Sequence, residues 1–319
     1  MALRPKINSF MAHVFLKRNV IAFRRSLTTE ATGTVFNKRL RIHHLDRSSQ
    51  DRDAHVFDYI RDHTAKDLCD RIDLLANSGR KVILNIGSCS GLISKNLNPD
   101  RVQLLIQADI SRESVKRARR LDLMLTPKFP IEYLQSDEEF LPIRQNTVDL
   151  VLSCLDLHWV NDLLGCFKQV RQILKNNSAF VGCLLGGDTL FELRSSFQLA
   201  ELERLSGFSP HVAPKTTGQD IARLLQASGF GMVTVDISEV KINYPSIFEL
   251  MFDLQGMGEN NASIFGSRHL HREVLVASAA AYQHLYGSNV LEQGIPATFQ
   301  IIHFIGWKSI NKPSHIKQS

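Results

Sequence analysis

The sequence predicts an α/β fold: a doubly wound, mostly parallel sheet with helices on both faces. Three observations predict it. Apolar runs of strand length alternate with amphipathic stretches of helix length along most of the 319 residues, the pattern of repeated βαβ units. A turn bearing Gly87 and Gly91 follows the first buried run and opens the next helical stretch, as a loop pressed against a flat ligand requires. An acid, Asp109, ends the following apolar run 22 residues after Gly87, about the spacing of a ribose-binding carboxylate.

The elements follow in order. Residues 1–29 read as a mitochondrial presequence, with six basic side chains (Arg4, Lys6, Lys17, Arg18, Arg24, Arg25) and no acid. Phe10, Val14 and Ile21 form a narrow apolar stripe flanked by those charges, and Lys17-Arg18 interrupts the apolar stretch that a secretory signal needs. Residues 30–55 are polar and read as a mobile linker. Residues 56–78 carry Phe57, Ile60, Leu68, Ile72 and Leu75 near helical spacing. Strand 82–86 leads to a helix from about residue 90, and strand 102–107 to a basic helix over 111–120. Strands 131–135 and 148–154 precede a helix over 162–174, and strand 179–185 follows. Thr189 and Glu192 have capping-box spacing for the next helix. A short helix over 221–228 can be closed by Gly229. Strand 232–242, an Ala-rich helix from about 270 to 286, and a last strand over 298–305 complete the domain, which spans 56–310 and leaves 311–319 as a tail.

Charge and cysteine usage narrow the function classes. Removing the six leader cations from the 38 Lys and Arg leaves 32, matching the 32 Asp and Glu. The body is therefore neutral, which argues against a nucleic-acid-binding surface. No run of about 18 apolar residues can span a membrane. The five cysteines (Cys69, Cys89, Cys154, Cys166, Cys183) form no CxxC pair and no zinc spacing, and fit small buried hydrophobes in a reducing compartment.

In a parallel sheet, ligands sit beyond the carboxyl ends of the strands. The places to look are therefore the 87–91 turn, Asp109, Asp137 and residues 153–159. The spacing Gly87-x-Cys89-x-Gly91 lacks the later glycine of a dinucleotide fingerprint, since position 92 is Leu92. It better resembles the turn after the first strand of class I S-adenosylmethionine-dependent methyltransferases. That resemblance implies S-adenosylmethionine as cofactor. Gly87, Ser88, Gly91, Ile110 and Glu138 would line it, Asp109 would accept from both ribose hydroxyls, and Asp137 from the adenine amino group. Ser153 lies at the end of the fourth strand, within the same ligand-facing region.

Downstream motifs narrow the resemblance. GGDTLFELR (186–194), GFSPHVAP (207–214), NYPSIFELMFDLQGMGENN (243–261) and PATFQIIHFIGW (296–307) occur in order. They resemble the mitochondrial complex I assembly factor 5 family, the arginine-hydroxylase assembly factors, over about residues 56–307. The resemblance implies a protein on the matrix face of the inner membrane, peripheral to it. It implies a core subunit of complex I (NADH:ubiquinone oxidoreductase) and other assembly factors as partners. It also implies hydroxylation of an arginine on an iron–sulfur-bearing subunit early in assembly. A non-catalytic assembly chaperone and a carboxyl methyltransferase remain as alternatives.

The chain departs from the family pattern in the turn. Asn85 stands where an acid is usual, and Cys89 where a glycine is usual. Loss of one charged hydrogen bond costs about 1.5–3 kcal/mol. A β-carbon in a left-handed conformation costs roughly 1–2 kcal/mol. Together they would lower cofactor affinity ~100-fold or more. His158 follows the fourth strand, where a histidine can serve as a general base; it can equally be a polar neighbour of Trp159. For hydroxylation, iron is commonly held by two histidines and a carboxylate. His44-Leu45-Asp46 is the one H-x-D match; it falls in the linker and reads as chance, and no metal site is assigned. His269, His271 and Glu273 read as surface polar groups near a helix start. Asp188 and Thr189 read as helix caps. The segment 244–257 reads as core packing through Phe248, Leu250, Met251 and Leu254, or as a lid or partner surface.

Overall fold

In the computed structural model the described residues are 34–75, 79, 81–207, 209–265, 270–287 and 294–309. The expected presequence, the tail and His269 lie outside them.

The first described element corrects the linker reading. Lys38–Gln50 forms helix α1. Asn37 caps it by accepting from the Leu40 N–H at 3.1 Å, the usual way to satisfy an orphan donor. Its periodicity is hard to see because its buried face is largely polar: Arg41, His44, Ser48 and Ser49 are buried beside Leu45. Such a face is stable only if each polar group meets a partner from another element, and composition does not reveal those partners. Helix α2 (Tyr59–Asp73) follows and buries Ile60, Leu68 and Ile72 as its spacing predicts.

Seven strands then form one sheet: β1 (Lys81–Ile86), β2 (Val102–Asp109), β3 (Ile131–Gln135), β4 (Val148–Cys154), β5 (Leu174–Leu185), β6 (Gly231–Tyr244) and β7 (Ile295–Lys308). Their order is β3-β2-β1-β4-β5-β7-β6. The pairings from β3 to β5 are parallel, and β7 runs antiparallel to both β5 and β6. The chain leaves β1 toward β2 on one side and returns to β4 on the other. The turn after β1 therefore sits at the topological switch point, where α/β sheets open a crevice.

Successive strand residues face opposite layers. Ile83, Leu105, Leu150, Val181 and Phe299 join one core, with Leu68 of α2 and with residues of α6 (Phe191–Leu205), α8 (Ile247–Gly256) and α9 (Arg272–Tyr286). Leu84, Ile106, Val151, Phe180 and Phe304 join the other, with α5 (Leu163–Ile173) and α7 (Gly218–Ala227). The five cysteines are free and buried.

Three local expectations change. The helix after the glycine turn is only the four-residue α3 (Ile93–Asn96); Pro99, next to the capping Asn98, stops the pattern and starts a 3₁₀ turn. The capping box at Thr189 does not form. Leu190 takes the cap position in a left-handed conformation, while Thr189 and Glu192 bond instead to β7, at Gln300 and Thr298. Asp188 likewise accepts from the Gln300 side chain at 2.8 Å. On α8, Ile247, Leu250 and Leu254 are buried, but Phe248 is 48% exposed. Helix α4 (Arg112–Leu125) keeps its predicted place, with Ser111 as N-cap.

Candidate functional site

Two glycines shape the turn after β1. Gly87 has φ +61° and Gly91 φ +77°, which side chains rarely adopt. Space requires them as well. A β-carbon on Gly87 would lie 2.2 Å from Asp156 Oδ2, and one on Gly91 would lie 2.7 Å from the Ala118 Cβ. Between them Cys89 has φ +47°, so the strain expected of a non-glycine residue is present. Its N–H donates to Asp109 Oδ2 at 2.7 Å, and Ser111 N–H donates to Asp109 Oδ1 at 2.7 Å. Asp109 thus braces the turn against the end of β2. Each carboxylate oxygen keeps a second lone pair for a ligand.

Eight expected residues meet at one end of the sheet. Gly87, Ser88 and Gly91 lie after β1, Asp109 and Ile110 after β2, Asp137 and Glu138 after β3, and Ser153 on β4 beside Ile86. All the polar ones are buried. Burial, then Asp156, raises the Asp109 carboxyl to about 7. Burial, then Asp156 and Asp137, pushes Glu138 well above the carboxylate range. Four buried side-chain atoms here lack any partner: Asn85 Oδ1, Ser88 Oγ, Glu138 Oε1 and Ser153 Oγ. Buried polar groups are nearly always bonded, so this set fits a polar ligand across the ends of β1, β3 and β4. A nucleoside with an amino-acid tail has the required mixture of donors and acceptors.

Helix α1 lies over that end. Lys38 Nζ is 2.7 Å from both Asp137 and Glu139. Ile42 and Leu45 pack on Cys89 and Ile110, and Ser111 Oγ donates to Asp46 at 2.6 Å. His44 lines a neighbouring pocket instead, so His44 and Asp46 serve different neighbours. Among the described residues no His, Cys, Asp and Glu group is arranged to hold a metal ion.

Sequence reading missed the buried ionic cluster beside the turn. Glu259 Oε1 takes Arg61 at 2.9 Å and Arg41 at 3.3 Å. Glu259 Oε2 accepts from the Trp159 indole at 2.9 Å and lies 3.0 Å from His158 Nε2. Arg41 also reaches Asp156 at 3.5 Å and stacks 4.8 Å from the Trp159 ring centre. Burial alone would raise the Glu259 carboxyl; Arg41, His158 and Arg61 instead hold it well below the usual range. Asp156 lies within the 153–159 region that topology singles out. Glu259 carries no comparable signal, because its partners are about 100 or more residues away in sequence.

His158 does not have the setting of a general base. Its side chain is fully buried, and burial, then Lys215, lowers its pKa to about 3. Leu185 N–H points to Nδ1 at 3.5 Å, which leaves the Nε2 proton for Glu259. The histidine therefore positions Glu259 in neutral form. Beyond Glu259 opens a pocket of about 400 Å³, lined by Leu185, Leu193, Phe197, Leu254 and Phe299 with Lys215 among them. Its size and apolar lining suit a substrate group.

Fold and site together define a methyltransferase-like α/β protein. A methyltransferase domain family matches residues 84–182. A Bacillus halodurans protein solved as a candidate methyltransferase shares the fold, with TM-score 0.55 and 15% identity over 76% of this chain and 99% of that one. The mitochondrial arginine-hydroxylase NDUFAF5 of Danio rerio is 40% identical over 284 residues, 89% of this chain and 86% of that protein. Its Mus musculus counterpart is 42% identical over 274 residues, 86% of this chain and 77% of that protein. The chain belongs to the NDUFAF5 family.

Proposed function

We propose that this chain is a mitochondrial arginine hydroxylase that modifies a core subunit of complex I during assembly and holds S-adenosylmethionine at the carboxyl ends of β1–β4. One observation carries the reading: identity of about 40% over most of the chain to relatives named mitochondrial arginine-hydroxylase. The complex I target rests on the motif resemblance, as does a place on the matrix face of the inner membrane. No described helix is long and apolar enough to cross a membrane.

The cofactor assignment is supported by the four unpartnered polar atoms at the sheet end. In this reading Asp109 accepts from the ribose hydroxyls, and Asp137 and Glu138 take the adenine amino group. The Gly87–Gly91 backbone, with Ser88 and Ser153, receives the amino-acid tail. When bound, S-adenosylmethionine brings a nucleoside, a charged sulfonium and an activated methyl group. The protein's own part is to order the turn through Asp109.

A second reading has its own observation. Lys38 already neutralises Asp137, and Asp156 fills the space above Gly87. A chain whose site stays closed in this way would be an assembly factor without turnover. Isothermal titration of the purified protein with S-adenosylmethionine separates the two. Saturable binding is expected, and no binding at about millimolar ligand leaves the non-catalytic reading. Mass spectrometry of complex I subunits, with and without the protein, is then expected to show an arginine that gains one oxygen. A methylated carboxylate in its place would make the protein a carboxyl methyltransferase.

A further inference from the structure

Arg41 is an odd residue to find at the centre of a ligand site. It comes from α1, outside the sheet domain, yet its side chain is only 5% exposed. Its guanidinium meets three kinds of partner at once. Nη1 donates to the Gly258 carbonyl at 2.5 Å, Nη2 faces Glu259 at 3.3 Å and Asp156 at 3.5 Å, and the group stacks 4.8 Å from the Trp159 ring centre. Two carboxylates within ion-pair reach and an aromatic face are surroundings a planar, delocalised cation selects, and a lysine ammonium does not use them in the same way.

The position has two further properties. Asp156 lies against Gly87, so the guanidinium is one carboxylate away from the turn at the switch point. Glu259 lines the 400 Å³ pocket on its other side, which gives an incoming side chain a path. The elements that build the surround are also not those that carry Arg41. Asp156 and Trp159 follow β4, and Gly258 and Glu259 follow α8.

We infer that Asp156, Trp159, Glu259 and the Gly258 carbonyl form a subsite for the guanidinium of a target arginine, which Arg41 of the chain's own first helix fills in the closed form. The inference rests on the arginine-hydroxylase reading for the identity of the substrate. Lys38 serves the same closed form at the other end of the site: it stands three residues before Arg41 and pairs with Asp137, the acid assigned to adenine. Helix α1 thus covers the expected cofactor acid and the arginine subsite together. Substrate and cofactor both compete with it, and loosening the helix favours both.

The test uses the full-length chain and Nα-acetyl-arginine N-methylamide as probe, with the citrulline analogue and methylguanidinium as controls. Arg41→Ala is expected to bind the arginine probe about tenfold or more tightly than wild type, since a state that occupies its own site taxes the apparent affinity. The uncharged citrulline analogue is expected to bind neither form. If the cavity left by Arg41→Ala takes methylguanidinium but not the arginine probe, Arg41 is a structural ion-pair partner and the subsite is overturned. Should Arg41→Ala fail to fold, Lys38→Gln decides: it loosens α1 without touching the subsite, and a folded Lys38→Gln protein no tighter than wild type overturns the inference. The two proposals fail separately. Probe binding without any oxygen added to complex I arginines keeps the subsite and removes the hydroxylase. Oxygen addition with unchanged probe affinity in both variants removes the subsite alone.

Discussion

Cys89 shows how one side chain can set the terms of a site. Its backbone is left-handed, a conformation that costs a β-carbon about 1–2 kcal/mol. Its N–H nonetheless completes the Asp109 brace, and its thiol is buried with Leu45 and Ile110. Strain and burial therefore oppose each other. Cys89→Gly should change unfolding free energy by no more than about 1 kcal/mol, because relief of strain offsets the lost burial, as read from urea denaturation. The double variant Asn85→Asp, Cys89→Gly restores an acid and a bare turn. It should bind S-adenosylmethionine about tenfold or more tightly than wild type by titration, one charged hydrogen bond being worth at least that factor. Equal or weaker binding would mean that the turn has been given another use.

The site residues that were legible in sequence share one property: local geometry demands them. Gly87 and Gly91 are fixed by φ and close approach, Asp109 and Asp137 by their place at strand ends. Arg41, Arg61 and Glu259 were not legible, because nothing local requires them. Their burial is tolerable only because each finds its counter-charge on an element far along the chain.

At the scale of elements, α1 is the largest difference between expectation and structure. A hydrophobic stripe would have announced it, but its buried face is mostly Arg41, His44, Ser48 and Ser49. Burial also lowers the His44 pKa to about 4, so the ring joins the packed face uncharged. The apolar contact that remains is Leu45 against Cys89 and Ile110, with Ile42 beside it. Leu45→Ala should weaken α1 docking by about 2–4 kcal/mol. Hydrogen exchange is the appropriate readout, because local opening precedes global unfolding. Amides in 38–50 should lose protection while those of β1 and β4 keep theirs; uniform loss across the sheet would show that α1 is integral to the core. The failed capping box at Thr189 has a related cause. A neighbouring strand offers Thr189 and Glu192 better partners than their own helix does.

The whole molecule rests on two cores divided by the sheet. β7 joins them, sending Phe299 and Ile301 to one face and Ile302 and Phe304 to the other. Phe304 packs edge-on against Phe180 at 4.9 Å and at a tilt against Phe167 at 6.0 Å. It fits over Gly182, where a β-carbon would come within 2.5 Å of its ring. Phe304→Ala should cost about 3–5 kcal/mol in global stability, visible as a lower denaturation midpoint with an unchanged slope. A loss below about 1 kcal/mol would mean that the second core closes without it.

The amino-acid sequence by itself determined the α/β alternation, the parallel strands, the glycine turn and the acids at the strand ends. Each of these follows from periodicity or backbone sterics, which act over a few residues. Only the tertiary structure decided that α1 closes over the turn and that Arg41 meets Asp156, Trp159 and Glu259. Those partners come from separate parts of the chain. A buried charge becomes stable only when the fold delivers its counter-charge and excludes water.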